Sequence, residues 1–138
     1  MTQKEMKGME VEVQAALDRM WDAARKVDTE GMFAVFSDVL PVGFVEVGVF
    51  YPTREATLAA FRKERAQLKC QDIDIKETKI AIIAPTAAIA TQRGHFTDHY
   101  KVGNVFETDY TITFVLVKEE KGWKIILGHE SCPISVEE

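Results

Sequence analysis

The residues of this 138-residue chain that could do chemistry are few: three histidines, a handful of tyrosines and one conspicuously placed arginine. His95 and His99 stand four apart, a spacing that on a helix offers two ligands to one metal ion. The residues around them read as strand, where four residues span ~13 Å, too far for a shared ion. No compact carboxylate or cysteine cluster accompanies them, so no metal site is expected. His129 is the best candidate for acid-base or hydrogen-bonding work, because an imidazole titrates near neutrality and the residues around it are apolar and aromatic. The competing reading is a buried histidine satisfied by Ser131, Tyr110 or backbone.

Arg93 falls on what reads as an apolar face, where a guanidinium requires a carboxylate, from the protein or from an anionic ligand. Glu46 and Asp109 are both candidates for that carboxylate. Tyr51, Tyr110 and Trp123 either line a pocket or belong to the core, and Trp123, just after a turn, suits a hairpin anchor. Cys70 and Cys132 are far apart and lack metal-binding or redox spacing, as expected of free thiols in a reducing compartment. No glycine-rich phosphate loop, G-x-S-x-G elbow or adjacent Cys–His pair is present, and no cofactor is expected.

The elements that position these residues fall in a simple order. Val13, Leu17, Met20, Trp21 and Ala24 recur at spacings of three and four, predicting an amphipathic helix over 10–27. Asp28 reads as the N-cap of a short second helix carrying Met32, Phe33 and Phe36, ended by Pro41. Residues 42–50 predict a short strand or ribbon, and Thr53 caps a third helix to about Leu68. After Cys70 everything reads as strand, with a bulge near Glu77 and Thr78 and later strands over 87–101, 105–118 and 123–132. Helices followed by a meander of long strands predict an α+β fold, the helices packed on one face of an antiparallel sheet.

Turn geometry gives a register. A two-residue loop at Glu120-Lys121 sets Lys118 opposite Trp123, and counting back pairs Phe114 with Leu127, Ile112 with His129 and Tyr110 with Ser131. A two-residue loop at Gly103-Asn104 sets His95 opposite Ile112, whereas a three-residue loop would flip that strand. The expected pocket face therefore carries Arg93, His95, Tyr110, Ile112, Phe114, Trp123, Leu127, His129 and Ser131 beside Trp21 and Tyr51. The opposite face is half polar, with an apolar strip, a pattern suited to pairing with a second copy of the chain.

Composition bounds the partners. With 46% hydrophobic and 28% charged residues, residues 1–138 read as one globular domain. A net charge of -5 without a basic cluster argues against nucleic acid. The opening MTQKEMKGMEVEVQ carries no apolar run of a secretory leader, and no stretch approaches the ~20 apolar residues of a membrane span, so no membrane contact and a cytoplasmic location are expected.

The closing strand GWKIILGHES, after TFVLVKEEK, resembles the end of the SnoaL-like, nuclear-transport-factor-two-like superfamily, in particular its DUF4440-type bacterial branch. Thr113, Gly122, Trp123, His129 and Ser131 occupy the motif positions, and WDAARKVDTEGMFAVFSD is similar to the superfamily's helical segment. The resemblance implies a cone-shaped curved sheet around a pocket, capped by three N-terminal helices and dimeric through the sheet's outer face. It also places Met20, Val47 and Phe114 where ketosteroid isomerases carry a tyrosine and two aspartates, so that mechanism is rejected. The expectation is a homodimeric domain binding a small apolar or aromatic molecule. The alternatives are an enzyme of dehydratase, cyclase or isomerase type with His129 as acid-base, and an assembly domain with a vestigial pocket.

Overall fold

The structure is a computed structural model that describes residues 1–133. Helix α1 spans Gln3–Arg25, starting about two turns earlier than the apolar stripe indicates. The cause is a capping box: the Thr2 hydroxyl accepts from the Glu5 amide, and the Glu5 carboxylate accepts from the Thr2 amide. Asp28 caps α2 (Thr29–Phe33) and Thr53 caps α3 (Arg54–Arg65), as their side chains require. Among the described residues, no helix is long and apolar enough to cross a membrane.

Residues 42–50 form most of a tight hairpin, β1 (Gly43–Glu46) and β2 (Val49–Tyr51). Its two-residue turn puts Val47 at φ 46° and Gly48 at φ 85°. A β-branched residue in the left-handed region costs roughly 1–2 kcal/mol, so strain sits directly beside Glu46.

The four long strands are β3 (Leu68–Ala84), β4 (Ala87–Tyr100), β5 (Val105–Glu119) and β6 (Gly122–Ser131). They form one curved, unclosed sheet in the order β2-β1-β6-β5-β4-β3, in which β1 runs parallel to β6 and every other pair is antiparallel. The helices lie on its concave side. Helix α1 buries Val13, Ala16, Leu17, Met20, Trp21 and Ala24 there, and the core continues through Phe33, Phe36, Phe44, Phe61, Phe114, Leu116 and Ile125. This is the α+β cone anticipated from the sequence.

Register is where structure and sequence part. The expected bulge in β3 is present one residue early, between Ile75 and Glu77. At the β4–β5 turn the chain uses a longer loop, with Tyr100 N–H donating to Asn104 O and Gly103 at φ 102°. His95 therefore faces Asp109, not Ile112, and β4 is flipped. At the β5–β6 turn Lys118 faces Trp123 as counted, and the register holds through Leu116 opposite Ile125. There a bulge at Ile126 shifts it by one, so that Thr113 faces His129 and Ile112 faces Glu130.

That bulge has a visible cause. The Ile125 amide donates to Val35 O and its carbonyl accepts from Ser37 N–H, whereas the residues beyond pair with β1. Strand β6 changes neighbour at Ile126, and the extra residue accommodates the change.

Candidate functional site

The concave side of the sheet encloses a cavity in which about 70 Å³ is open to the centres of water-sized molecules. That is room for a few waters or a compact organic molecule. Its walls are largely aromatic. Trp21 from α1 meets Tyr110 and Phe114 from β5 at ring-centre distances of 5.7 and 6.2 Å. Phe96 from β4 lies 5.8 Å from Tyr110, and Phe44 and Phe61 pack edge to face at 5.1 Å. The indole is held by a buried amide: Trp21 Nε1 donates to Gln92 Oε1 at 2.7 Å, and Gln92 Nε2 donates to Thr78 Oγ1 at 3.0 Å.

Glycines let the walls approach. A Cβ on Gly128 would overlap the Phe44 ring, and one on Gly94 would overlap the Asp74 carbonyl and crowd the Tyr110 hydroxyl. Both positions require the missing side chain.

Set into this wall is an acidic group. Glu46 and Glu130 are register partners on the parallel strands β1 and β6, so both side chains project to the same face. Like charges directly opposite each other destabilise a sheet. Asp98 from β4 and Glu64 from α3 join them. Phe61, Glu64 and Arg65, at helical spacings of three and four, reach the cavity from one face of α3. Arg65 donates to Gln71 Oε1 at 3.0 Å and to the Ala24 carbonyl, and Gln71 Nε2 donates to Asp98 Oδ1 at 2.7 Å.

Burial governs the protonation of these groups. Loss of solvent, reinforced by Glu46, Glu64 and Asp98, pushes the Glu130 carboxyl up to about 8, against the opposing pull of Arg65. Burial and the neighbouring Glu64 push Glu46 up to about 7. Burial also raises Asp98 and Glu64. Near neutral pH, Glu130 thus holds a proton and Glu46 is poised between its two states. The Tyr110 hydroxyl has no hydrogen-bond partner among the described residues, and burial followed by Glu130 pushes its pKa up to about 12. Burial and the same glutamates push Cys132 up to about 11, so this thiol is not an activated nucleophile.

Of the residues singled out from sequence, Trp21, Tyr110, Ile112 and Phe114 line this cavity. Tyr51 is half-buried and packs against the core, and Trp123 is buried, but neither lines it. The rest require correction. The Ile126 bulge turns Leu127, His129 and Ser131 to the convex face, where all three are exposed. The longer β4–β5 loop does the same for Arg93 and His95. Arg93 pairs with Glu77 at 2.6 Å, and not with Glu46 or Asp109. His95 meets Asp109 at 2.8 Å and Glu107 at 3.4 Å, contacts that raise its pKa. His99 meets Asp72 at 2.8 Å.

The residues missed are the carboxylates Glu64, Asp98 and Glu130, whereas Glu46 is anticipated only as a partner for Arg93. Glu46 shares its parity with Phe44, Asp98 with Phe96, and Glu130 with Gly128. Parity was the signal available, but it marks Glu130 only once the bulge is known.

Solved structures with the same fold include an NTF2-like superfamily protein from Salmonella enterica serovar Typhimurium, 18% identical over 96% of each chain with a TM-score of 0.84. A candidate dehydratase of the NTF2-like family from Streptomyces avermitilis is 15% identical, covering 94% of this chain and 99% of its own, with a TM-score of 0.84. A candidate scytalone dehydratase from Novosphingobium aromaticivorans is 10% identical over 96% of this chain and 89% of its own, with a TM-score of 0.87. No curated protein matches the sequence. The SnoaL-like domain model matches residues 13–135, nearly the whole chain, and the chain belongs to that family.

Proposed function

We propose that this chain binds a small, largely aromatic or apolar molecule inside the cone, with Glu46 and Glu130 as its polar contacts. One observation carries the reading: an aromatic cavity into which two neighbouring strands project a pair of carboxyls that have no hydrogen-bond donor among the described residues. Such pairing is destabilising in an empty fold and useful when a ligand's polar end meets it. Calorimetry with benzyl alcohol as the probe is expected to return a dissociation constant of about 1 mM or tighter. Ile112→Trp, which fills the cavity, is expected to weaken it at least tenfold, and His129→Gln to leave it unchanged. Equal loss in both variants, or in neither, would remove the cavity from the account.

The convex face supports a second element of this reading, a homodimer formed by two such faces. Leu127 and Ile89 are 39% and 37% exposed there, beside the paired hydroxyls of Thr91 and Thr113. Sedimentation equilibrium is expected to return twice the chain mass, falling to the monomer mass in Leu127→Glu. A monomeric wild type refutes it.

An enzymatic reading also has support, from two carboxyls in one cavity whose proton affinities burial raises toward neutral pH, the range in which a general acid or base works. Candidate dehydratases share the fold. On this reading Glu130, and not His129, is the acid. Its test is a turnover assay on a discovered substrate, which Glu130→Gln must abolish.

A further inference from the structure

The cavity carries more acid than its own cation can balance. Glu46, Glu64, Asp98 and Glu130 all line it, and Arg65 is the only lysine or arginine among its lining residues. Both terminal nitrogens of Arg65 are already committed, to Gln71 and to the Ala24 carbonyl. Asp98 accepts a hydrogen bond from Gln71, whereas Glu46 and Glu130 accept none among the described residues. The carboxyls are therefore unequal: Asp98 is held by a side-chain network, and Glu46 and Glu130 stand side by side on neighbouring strands without one.

Two further observations concern what would fit there. Tyr110, 3% exposed, lines the cavity with a hydroxyl that has no partner. Its ring centre lies 5.7 Å from that of Trp21 and 5.8 Å from that of Phe96, and all three residues line the cavity. The faces of aromatic rings carry negative charge and attract cations. Among the described residues no three His, Cys, Asp or Glu side chains converge closely enough to hold a metal ion. A cation that replaced the protons on these carboxyls would therefore have to be larger than a bare ion and tolerate apolar walls.

We propose that the ligand is an organic ammonium, a protonated amine on an aryl or compact alkyl group, with its nitrogen between Glu46 and Glu130 and its apolar part against Trp21, Phe96 and Tyr110. An ammonium supplies three donors and no acceptor, matching the unpaired carboxyl oxygens of Glu46 and Glu130, beside which the Tyr110 hydroxyl and the Arg65 Nε–H are also without a partner among the described residues. A neutral ligand would leave the two carboxyls to share protons between themselves, and an anion would be repelled by them. The inference rests on the cavity being the binding site and adds the charge of what it takes.

The same geometry predicts a proton count. The groups facing Glu130 are Glu46 on β1, Glu64 and Arg65 on α3, Asp98 on β4 and Tyr110 on β5. A cation placed among them favours the ionised form of each carboxyl, so binding displaces protons.

Titration calorimetry of the full chain at pH 7.5 with benzylamine, benzyl alcohol and benzoate tests this. Benzylamine is expected to bind about tenfold or more tighter than benzyl alcohol, and benzoate not to bind. The benzylamine heat is expected to change between phosphate and Tris buffers, reporting released protons. In Glu130→Gln, and independently in Glu46→Gln, the preference for benzylamine over benzyl alcohol is expected to fall to about onefold. Benzyl alcohol binding as tightly as benzylamine, or a preference that survives both substitutions, overturns the ammonium while leaving the cavity reading intact. Failure of all three probes overturns both.

Discussion

Glu130→Gln is expected to flatten the pH dependence of stability between pH 5 and pH 9, a range over which the wild-type chain loses a few kcal/mol. In the folded chain the Glu130 carboxyl is pushed up to about 8 and Glu46 to about 7; in the unfolded chain both return to about 4.3. A carboxyl whose folded pKa is raised favours the native state only while it keeps its proton. Its contribution is fully present below the unfolded value and is lost as pH rises through the folded one. The slope is about 1.4 kcal/mol per pH unit for each proton that the folded state retains and the unfolded state releases. Partial contact with solvent reduces the total to a few kcal/mol. Glutamine keeps the shape and cannot ionise, so urea unfolding of the variant at pH 5, 7 and 9 should give midpoints that fall less than those of the wild type, the remaining fall coming from Glu46. A variant that tracks the wild type across that range would show that Glu130 ionises freely in the folded chain.

Phe114→Ala is expected to cost about 3–5 kcal/mol, toward the upper end of what losing a buried phenyl costs. Phe114 is fully buried, and its cross-strand neighbours are Ala90 and Gly128. Neither neighbour has a side chain that could swing into the space, so the vacated volume joins the existing cavity. Benzene at saturating concentration is then expected to restore part of the stability, because an apolar void that cannot collapse binds apolar molecules. A loss below about 1.5 kcal/mol in urea unfolding would indicate that α1 settles onto the sheet and closes the gap.

These two positions also mark what the sequence discloses and what it conceals. The α1 stripe, the Asp28 and Thr53 caps, the inward row Tyr110, Ile112, Phe114 and Leu116, and the Lys118–Trp123 turn are all legible, because each depends on local spacing or a single side chain. The convex placement of His129 is not. The run Ile125-Ile126-Leu127 is apolar at every position, so alternation gives no sign that one residue is bulged, and the bulge depends on contacts with Val35 and Ser37, some ninety residues away. The sequence around Val102-Gly103-Asn104 does not reveal whether the loop has two residues or three, and that choice moves Arg93 and His95 from one face to the other.

The acidic group is harder still to see. Glu46, Glu64, Asp98 and Glu130 come from β1, α3, β4 and β6, and no spacing along the chain joins them. Only the pairing of Glu46 with Glu130 across parallel strands brings two like charges together, an arrangement that local rules disfavour. Where a sequence breaks such a rule inside its own cavity, function is the usual reason.

The central claim is that a ligand enters the cone and meets Glu46 and Glu130. The most direct measurement is an NMR titration with benzylamine that follows the Trp21 indole N–H, the Ile112 methyls, the Glu130 carboxyl carbon and the His129 ring in one sample. Saturable shifts at the first three with an unmoved His129 are the result predicted here. Shifts confined to His129 and its convex-face neighbours, with the cavity signals unchanged, would contradict it.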